Sequence, residues 1–195
     1  VWDLPPSGSD FFAADYQGPL RLRNAIAGDV LAPLEALTAS LDAQFVWSTA
    51  ARLGMPGLNG RSVALTTDLD ALSPLEIAAG YAVFAGQGSL SGQTDPLSGV
   101  PQPNFILTIT SPAGETLADF RQAQTVPLLS PVAAFLVHDV LADRAARWSS
   151  LGQGNPLEIG YPPAAKLGKN ADGSQVWAAG YTQRRLAVIW LGNDP

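Results

Sequence analysis

The sequence predicts an α+β protein in which helices flank an antiparallel β-sheet. Two observations support this fold class. Apolar residues recur at helical spacing through much of residues 19–148, and alternating runs joined by short connections occupy residues 164–192. A chain of 195 residues is long enough for one domain with its own core. The sequence has no internal repeat and no low-complexity tract, so we expect residues 1–195 to form a single domain.

The first half of the chain predicts a lead-in followed by short helices. Residues 1–18 are rich in Gly, Pro, Ser and Asp and predict a loop-like lead-in. Residues 20–53 predict two or three helices, with Pro33 as a break or as the first residue of the next helix. The run Ser73-Pro74-Leu75-Glu76 predicts a helix start, because it combines a capping serine, a proline at the first helical position and a capping-box glutamate. This helix is expected to end near Gly86.

The second half predicts fewer helices and more strands. Residues 89–103 predict a turn-rich connection, and a short hairpin is expected near 104–120. Ser130-Pro131 predicts a helix that fades near Arg147, followed by a loop over 149–163. The tail predicts three strands, whose short connections favour an antiparallel meander: 164–168, 175–182 and 185–192.

Composition and charge exclude several kinds of function. The formal net charge is −6, and the chain has only two lysines, Lys166 and Lys169, so we expect neither nucleic acid nor an anionic lipid surface as a partner. The absence of cysteine excludes disulfides, thiol catalysis and cysteine metal sites. Candidate ligands do not cluster along the sequence, so we expect no metal and no cofactor. No apolar run approaches the roughly 18 residues that span a bilayer, and we expect no membrane contact from this segment.

Three sequence blocks resemble the class A penicillin-binding protein transpeptidase domains. The tail has Gly180-Tyr181-Thr182 and then Trp190-Leu191-Gly192-Asn193-Asp194, similar to the last two strands of that family. Residues 72–88 resemble its helix before the groove, and residues 18–26 resemble the segment that leads to its second active-site motif. The blocks occur in the family's order across nearly the whole chain.

The resemblance implies a bacterial cell-wall protein located outside the cytoplasm. Its expected fold is the serine transpeptidase or β-lactamase-like fold. Class A members also carry a family 51 glycosyltransferase domain upstream. The chain starts at Val1, and we expect a piece of a longer, membrane-anchored protein whose N-terminal part of the fold is missing here. The implied partners are that missing part, the peptidoglycan stem peptide and other cell-wall synthesis proteins.

The family's acyl transfer uses a nucleophilic serine and the motifs Ser-x-x-Lys, Ser-x-Asn and Lys-Thr-Gly. In the first motif the lysine amine accepts the proton of the serine hydroxyl. With two lysines available, a Ser-x-x-Lys would need serine at position 163 or 166, where Pro163 and Lys166 stand. The family places this motif before the block at residues 18–26, so it is expected upstream of the chain.

The other two motifs are degenerate. Alignment to the family puts Asp29 at the serine and Leu31 at the asparagine of the second motif, and no Ser-x-Asn occurs in the chain. The third motif falls on Lys166-Leu167-Gly168-Lys169, which keeps a lysine and a glycine but loses the hydroxyls that bind the substrate carboxylate. We therefore expect no catalytic residue among these positions.

For several individual residues, a structural role is favoured over a functional one. Lys166 is expected to be a solvated strand lysine, Asp29 a helix-end cap and His138 a surface or partly packed histidine. Four aromatic residues are expected in the core: Phe84, Trp177, Tyr181 and Trp190.

Three functional hypotheses remain open. The chain is a catalytically inactive transpeptidase-like domain with a structural or binding role. Alternatively, it is a fragment of an active D,D-transpeptidase whose Ser-x-x-Lys lies upstream. In the third hypothesis it is a module that binds peptidoglycan or a divisome partner.

Overall fold

The computed structural model describes residues 1–3, 17–61, 72–94, 101–104, 106–170 and 173–192. Its α-helices are α1 Leu22–Ala27, α2 Leu31–Thr38, α3 Ala43–Arg52, α4 Pro74–Ala85, α5 Pro131–Ala142 and α6 Arg144–Leu151, with a 3-10 helix at Pro56–Leu58. The first seven strands are β1 Trp2–Asp3, β2 Gly18–Pro19, β3 Ser89–Thr94, β4 Pro101–Gln102, β5 Thr108–Thr110, β6 Thr116–Asp119 and β7 Gln124–Pro127. The last three are β8 Ala164–Lys169, β9 Gln175–Tyr181 and β10 Leu186–Gly192.

The last three strands form an antiparallel meander in the order β10-β9-β8. Lys166 is opposite Ala179 on the central strand, and Trp177 is opposite Trp190 on the far strand. Short turns connect the strands, as the spacing of the sequence predicts. Within this sheet β8 is an edge strand, so one row of its backbone groups faces away from β9.

Helix α4 begins with the capping box that the sequence predicts. The Ser73 hydroxyl accepts a hydrogen bond from the Glu76 backbone N–H at 3.2 Å, and the Glu76 carboxylate accepts one from the Ser73 backbone N–H at 2.9 Å. Pro74 occupies the first helical turn. The helix ends at a turn closed by Gly88, which has φ +95° and approaches the Leu129 backbone so closely that a Cβ would lie 2.3 Å from its carbonyl oxygen.

A second sheet corrects the prediction for residues 89–103. That segment was expected to be a turn-rich connection, but its first part is β3, which pairs with β4 and β7 in the order β4-β3-β7. The residues Ser89–Thr94 are mostly small and polar, so their strand character comes from pairing with a distant segment and not from intrinsic propensity. Residues 95–100 lie outside the described residues. Strands β5 and β6 pair where the sequence predicts a hairpin.

Two further sequence predictions need correction. The lead-in over residues 1–18 is not loop at its ends, because β1 pairs with β2; its middle, residues 4–16, lies outside the described residues. The helix predicted from Ser130 to near Arg147 is two helices, and the break falls at Asp143. The Asp143 carboxylate accepts a hydrogen bond from the Ala146 N–H at 3.1 Å, which caps the second helix.

The core is built around α4, which contributes side chains to two buried clusters. One buried cluster contains Leu53, Val83 and Leu90, and another contains Leu141, Ala164 and Tyr181. By contrast, the outer face of α5 is open to solvent, with Val132 70% and Phe135 62% exposed. In the part of the chain that the structure describes, no helix has the length and apolar character needed to cross a membrane.

Candidate functional site

The residues predicted at the second and third motif positions meet across the fold. Asp29 lies in the turn between α1 and α2 with φ +58°, a left-handed conformation that aspartate tolerates better than most residues. Its carboxylate accepts a hydrogen bond from the Lys166 ammonium group on β8, and the two groups form an ion pair. The Lys166 Nζ also donates to the Leu167 carbonyl oxygen at 2.5 Å.

This geometry overturns two simpler interpretations. Asp29 is not a helix cap, because Gly28 ends α1 and Val30 precedes α2 without a side-chain cap. Lys166 is not a freely solvated lysine, because its side chain is only 20% exposed and is paired. The Asp29 side chain is 39% exposed, so the pair is partly open to solvent and does not lie in the core.

A groove of about 270 Å³ runs between α4 and β8. Its lining is largely apolar: Met55, Ile77, Gly80, Tyr81, Phe84, Lys166, Leu167, Gly168, Trp177 and Ala179. Among these described lining residues there is no serine, threonine or cysteine, and the one hydroxyl belongs to Tyr81. Burial, together with the negative charge of Asp29, raises the pKa of Tyr81 to about 12, so the phenol stays protonated at neutral pH.

The other positions predicted for the motifs lie in this groove, in a neighbouring pocket or at the exposed surface. Leu31, the first residue of α2, is 58% exposed. Leu167, which the sequence predicts at a hydroxyl position of the third motif, lines the groove. A Cβ on Gly168 would meet only the Trp177 Cβ at 3.8 Å, so the groove is open at this point. Lys169 ends β8 and lines a second pocket, which Asp29, Leu167 and Gly168 also line.

That second pocket contains a residue that the sequence reasoning passed over. Arg147 on α6 lines it and is 1% exposed. An arginine four positions after Asp143 is typical of an exposed helix surface, so the sequence carried no signal for its burial. Burial lowers the pKa of Arg147 from its ordinary value.

His138 is partly packed, which agrees with the prediction of a surface or partly packed histidine. Its Nδ1 lies 3.1 Å from the Tyr181 hydroxyl, and burial raises the pKa of Tyr181 to about 12. Both residues line an apolar groove of about 430 Å³ beside α5. Of the four aromatic residues expected in the core, Tyr181 is buried, but Trp190 is 37% exposed because it lies on the outer strand.

The described residues contain no group of three His, Asp or Glu side chains that could hold a metal ion.

Comparison with known proteins identifies relatives of this architecture. No protein-family model matches the chain. A curated protein, penicillin-binding protein 1A from Clostridium tetani, is 24% identical over 140 residues, which cover 72% of this chain and 16% of that protein.

Solved structures match the fold more fully. Penicillin-binding protein PonA1 from Mycobacterium tuberculosis has a TM-score of 0.64 at 21% identity over 90% of this chain. The imipenem acyl-enzyme of penicillin-binding protein A from M. tuberculosis has a TM-score of 0.67 at 16% identity over 98%. The D,D-transpeptidase domain of a peptidoglycan glycosyltransferase from Eggerthella lenta has a TM-score of 0.65 at 17% identity over 92%.

These matches confirm the predicted fold class and the predicted resemblance. The chain has the α+β fold of penicillin-binding protein transpeptidase domains. It spans 48% to 50% of the solved chains, so it corresponds to about half of each.

Proposed function

We propose that this chain is a catalytically inactive transpeptidase-like domain that serves a structural or binding role in a bacterial peptidoglycan synthase. The observation that supports this most directly is the ion pair between Asp29 and Lys166. The family's mechanism needs a hydroxyl at the first of these positions and a lysine charge available to the substrate at the second. Here a carboxylate replaces the hydroxyl and neutralises that charge.

The groove itself supports the same proposal. Acyl transfer needs a nucleophile beside a base and donors for the developing oxyanion. The described lining offers Leu167 where the family has a hydroxyl, and the Tyr81 phenol is held protonated. Leu31 supplies no amide for a substrate. These positions together leave the groove without the groups that covalent chemistry requires.

A binding role fits the edge of the meander. An extended peptide can add to an edge strand through backbone hydrogen bonds, while apolar pockets receive alternate side chains. β8 is such an edge within its sheet, and the apolar groove runs beside it. We therefore propose that the peptidoglycan stem peptide, or a peptide segment of a cell-wall synthesis protein, lies along β8.

Retention on purified peptidoglycan tests the binding role. Gly168→Val places a side chain in the open part of the groove, where only the Trp177 Cβ is near. Gly160→Val is the matched control, because a Cβ there has no neighbour within 4 Å. We expect the parent chain and G160V to sediment with insoluble peptidoglycan and G168V to remain in solution. Equal behaviour of G168V and G160V would rule out binding in this groove.

The structural role concerns the open face of α5. Val132, Phe135 and Leu136 are all more than half exposed, and exposed apolar patches of this kind mark interaction surfaces. The solved relatives contain about as much chain again as this one matches. We propose that the rest of a transpeptidase fold packs on this face, in a protein located outside the cytoplasm and anchored upstream, with a family 51 glycosyltransferase domain.

A further inference from the structure

The backbone groups of β8 alternate between the neighbouring strand β9 and the open edge of the sheet. The Asn170 N–H, just beyond β8, donates a hydrogen bond to the Gln175 carbonyl oxygen at 3.2 Å, so these two residues form a hydrogen-bonded pair. In an antiparallel ladder such pairs occur at every second residue. The open edge of β8 therefore presents the backbone N–H and C=O groups of Ala165, Leu167 and Lys169.

Two of these three carbonyl oxygens already accept hydrogen bonds from side chains of the same chain. Arg147 Nη1 donates to the Ala165 carbonyl oxygen at 3.4 Å. Lys166 Nζ donates to the Leu167 carbonyl oxygen at 2.5 Å. An added strand would need these oxygens as acceptors for its own backbone N–H groups. The edge along which a peptide is proposed to lie is therefore partly closed in the free chain.

The Lys166 side chain crosses the edge of β8 from one side of the sheet to the other. Lys166 lines the groove beside α4, whereas Asp29 lines the second pocket together with Lys169. Side chains three positions apart on a strand point to opposite faces, so Lys166 and Lys169 lie on opposite sides of the sheet. The ion pair with Asp29 thus holds the ammonium group over the edge, beside the Leu167 carbonyl oxygen.

The two covering side chains differ in how readily they can leave the edge. Arg147 is 1% exposed, so its withdrawal from Ala165 would open the packing around α6. Lys166 belongs to a pair whose other member, Asp29, is 39% exposed, and pairs open to solvent hold weakly. A lysine side chain is also long and flexible. A peptide N–H can therefore replace Lys166 at the Leu167 carbonyl oxygen, while Ala165 stays covered.

We propose that Lys166 closes the β8 edge, and that an extended peptide binds there by displacing its ammonium group from the Leu167 carbonyl oxygen. The peptide then donates one backbone N–H to that oxygen and pairs with Leu167 and Lys169, stopping short of Ala165. Its partner is thus a short extended peptide segment with an unsubstituted amide at this position. This inference rests on the proposed peptide binding along β8 and adds the residue that controls it.

Fluorescence anisotropy of a dye-labelled synthetic stem peptide measures the affinity of each variant. Lys166→Met removes the ammonium group, and we expect at least about threefold tighter binding than by the parent chain, because the Leu167 carbonyl oxygen is then free. Asp29→Asn keeps Lys166 but removes its anchor, so its affinity should lie between those of the parent and K166M. Arg184→Met makes the same charge change in the exposed β9–β10 turn, and it should bind within about twofold of the parent.

A set of stem peptides, each N-methylated at one backbone amide, separates the hydrogen bond from a simple gain in apolar surface. Each methyl group removes one donor and leaves the others in place. We expect the advantage of K166M over the parent to disappear for one member of the set, the peptide that lacks the N–H for Leu167. An advantage that survives every methylation would contradict the proposal.

The outcomes distinguish this inference from the binding role on which it rests. Equal or weaker binding by K166M than by the parent would overturn the inference and leave the proposed peptide binding intact. If neither chain binds the stem peptide, the proposed binding along β8 is wrong and the inference fails with it. D29N, which leaves the sequence of β8 unchanged, decides the question if K166M does not show the circular dichroism spectrum of the parent.

Discussion

The Asp29 carboxylate accepts a hydrogen bond from the Lys166 ammonium group, although 137 positions separate the two residues in the chain. The α1–α2 turn supplies the carboxylate, and the edge strand β8 supplies the ammonium group. The sequence predicts Asp29 and Lys166 at the degenerate second and third motifs, so this single contact joins the two predicted motif positions. It also links the α1–α2 turn to the meander.

This ion pair is expected to contribute modestly to stability. Exposed and half-exposed pairs are typically worth about 0.2–1 kcal/mol. We expect a double-mutant cycle of Asp29→Asn and Lys166→Met, measured by urea unfolding, to give a coupling free energy of about 0.5–1 kcal/mol. Asparagine is the appropriate replacement, since it tolerates the positive φ of position 29 as aspartate does. Strictly additive effects would show that the contact contributes nothing in solution.

Restoring the family's motif residues is not expected to restore acyl transfer. Asp29→Ser, Leu31→Asn, Leu167→Thr and Lys169→Thr would return the hydroxyls and the amide, but the nucleophile and its base would still be absent. Asp29→Ser also removes the ion pair and places serine in a left-handed conformation, at a cost of roughly 1–2 kcal/mol. Leu31→Asn should cost little, because Leu31 is exposed.

The quadruple variant should therefore melt at a lower temperature than the parent and hydrolyse a thioester substrate analogue no faster. Leu31→Asn alone is the matched control, with an unchanged melting temperature. Turnover by the quadruple variant above the parent's background would show that the chain contains a nucleophile outside the motif positions.

Two of the four tyrosines should ionise late in an alkaline titration. Burial raises the pKa of Tyr81 and Tyr181 to about 12, against an ordinary value of 10. A raised folded-state pKa means that the stabilisation is complete below pH 10 and is lost as the pH rises towards 12. We expect phenolate absorbance near pH 12 to fall by one tyrosine in Tyr81→Phe and by one in Tyr181→Phe. If neither variant loses absorbance from this late phase, the assignment of the two late tyrosines is contradicted.

The open face of α5 should tolerate polar substitution while the core does not. Phe135 is 62% exposed, so Phe135→Ser is expected to change the free energy of unfolding by less than about 0.5 kcal/mol. Leu90 is 2% exposed and packs with Leu53 and Val83, so Leu90→Ala should cost about 2–5 kcal/mol. Urea unfolding of both variants checks the contrast, and similar losses in the two would mean that α5 is buried in solution.

Local signals predicted the elements that depend on local chemistry. The capping box at Ser73 and the alternation over residues 164–192 predict α4 and the meander because each is specified by adjacent residues. The second sheet was missed, since Ser89–Thr94 is polar and becomes a strand only by pairing with β7, more than 30 residues later. The break at Asp143 was missed because aspartate can cap a new helix without any proline or glycine to mark it.

The site was predictable in position but not in its contacts. Family alignment selected Asp29 and Lys166, yet a cap and a solvated lysine were the simpler interpretations, because no local pattern reports a contact across 137 residues. No pattern in the sequence predicts that Arg147 is buried. Its burial depends on how α6 packs against β8, and the carbonyl oxygen of Ala165 on that strand is one of its acceptors. Long-range packing decides both cases.

Reaction with imipenem tests the loss of catalysis most directly. Penicillin-binding protein A from M. tuberculosis, which forms an imipenem acyl-enzyme, is the positive control. Intact-mass spectrometry after incubation should show that the control gains the mass of one imipenem while this 195-residue chain is unchanged. A stoichiometric mass increase that resists denaturation and maps to a serine of the chain would contradict the account, and it would identify an acylating nucleophile in this domain.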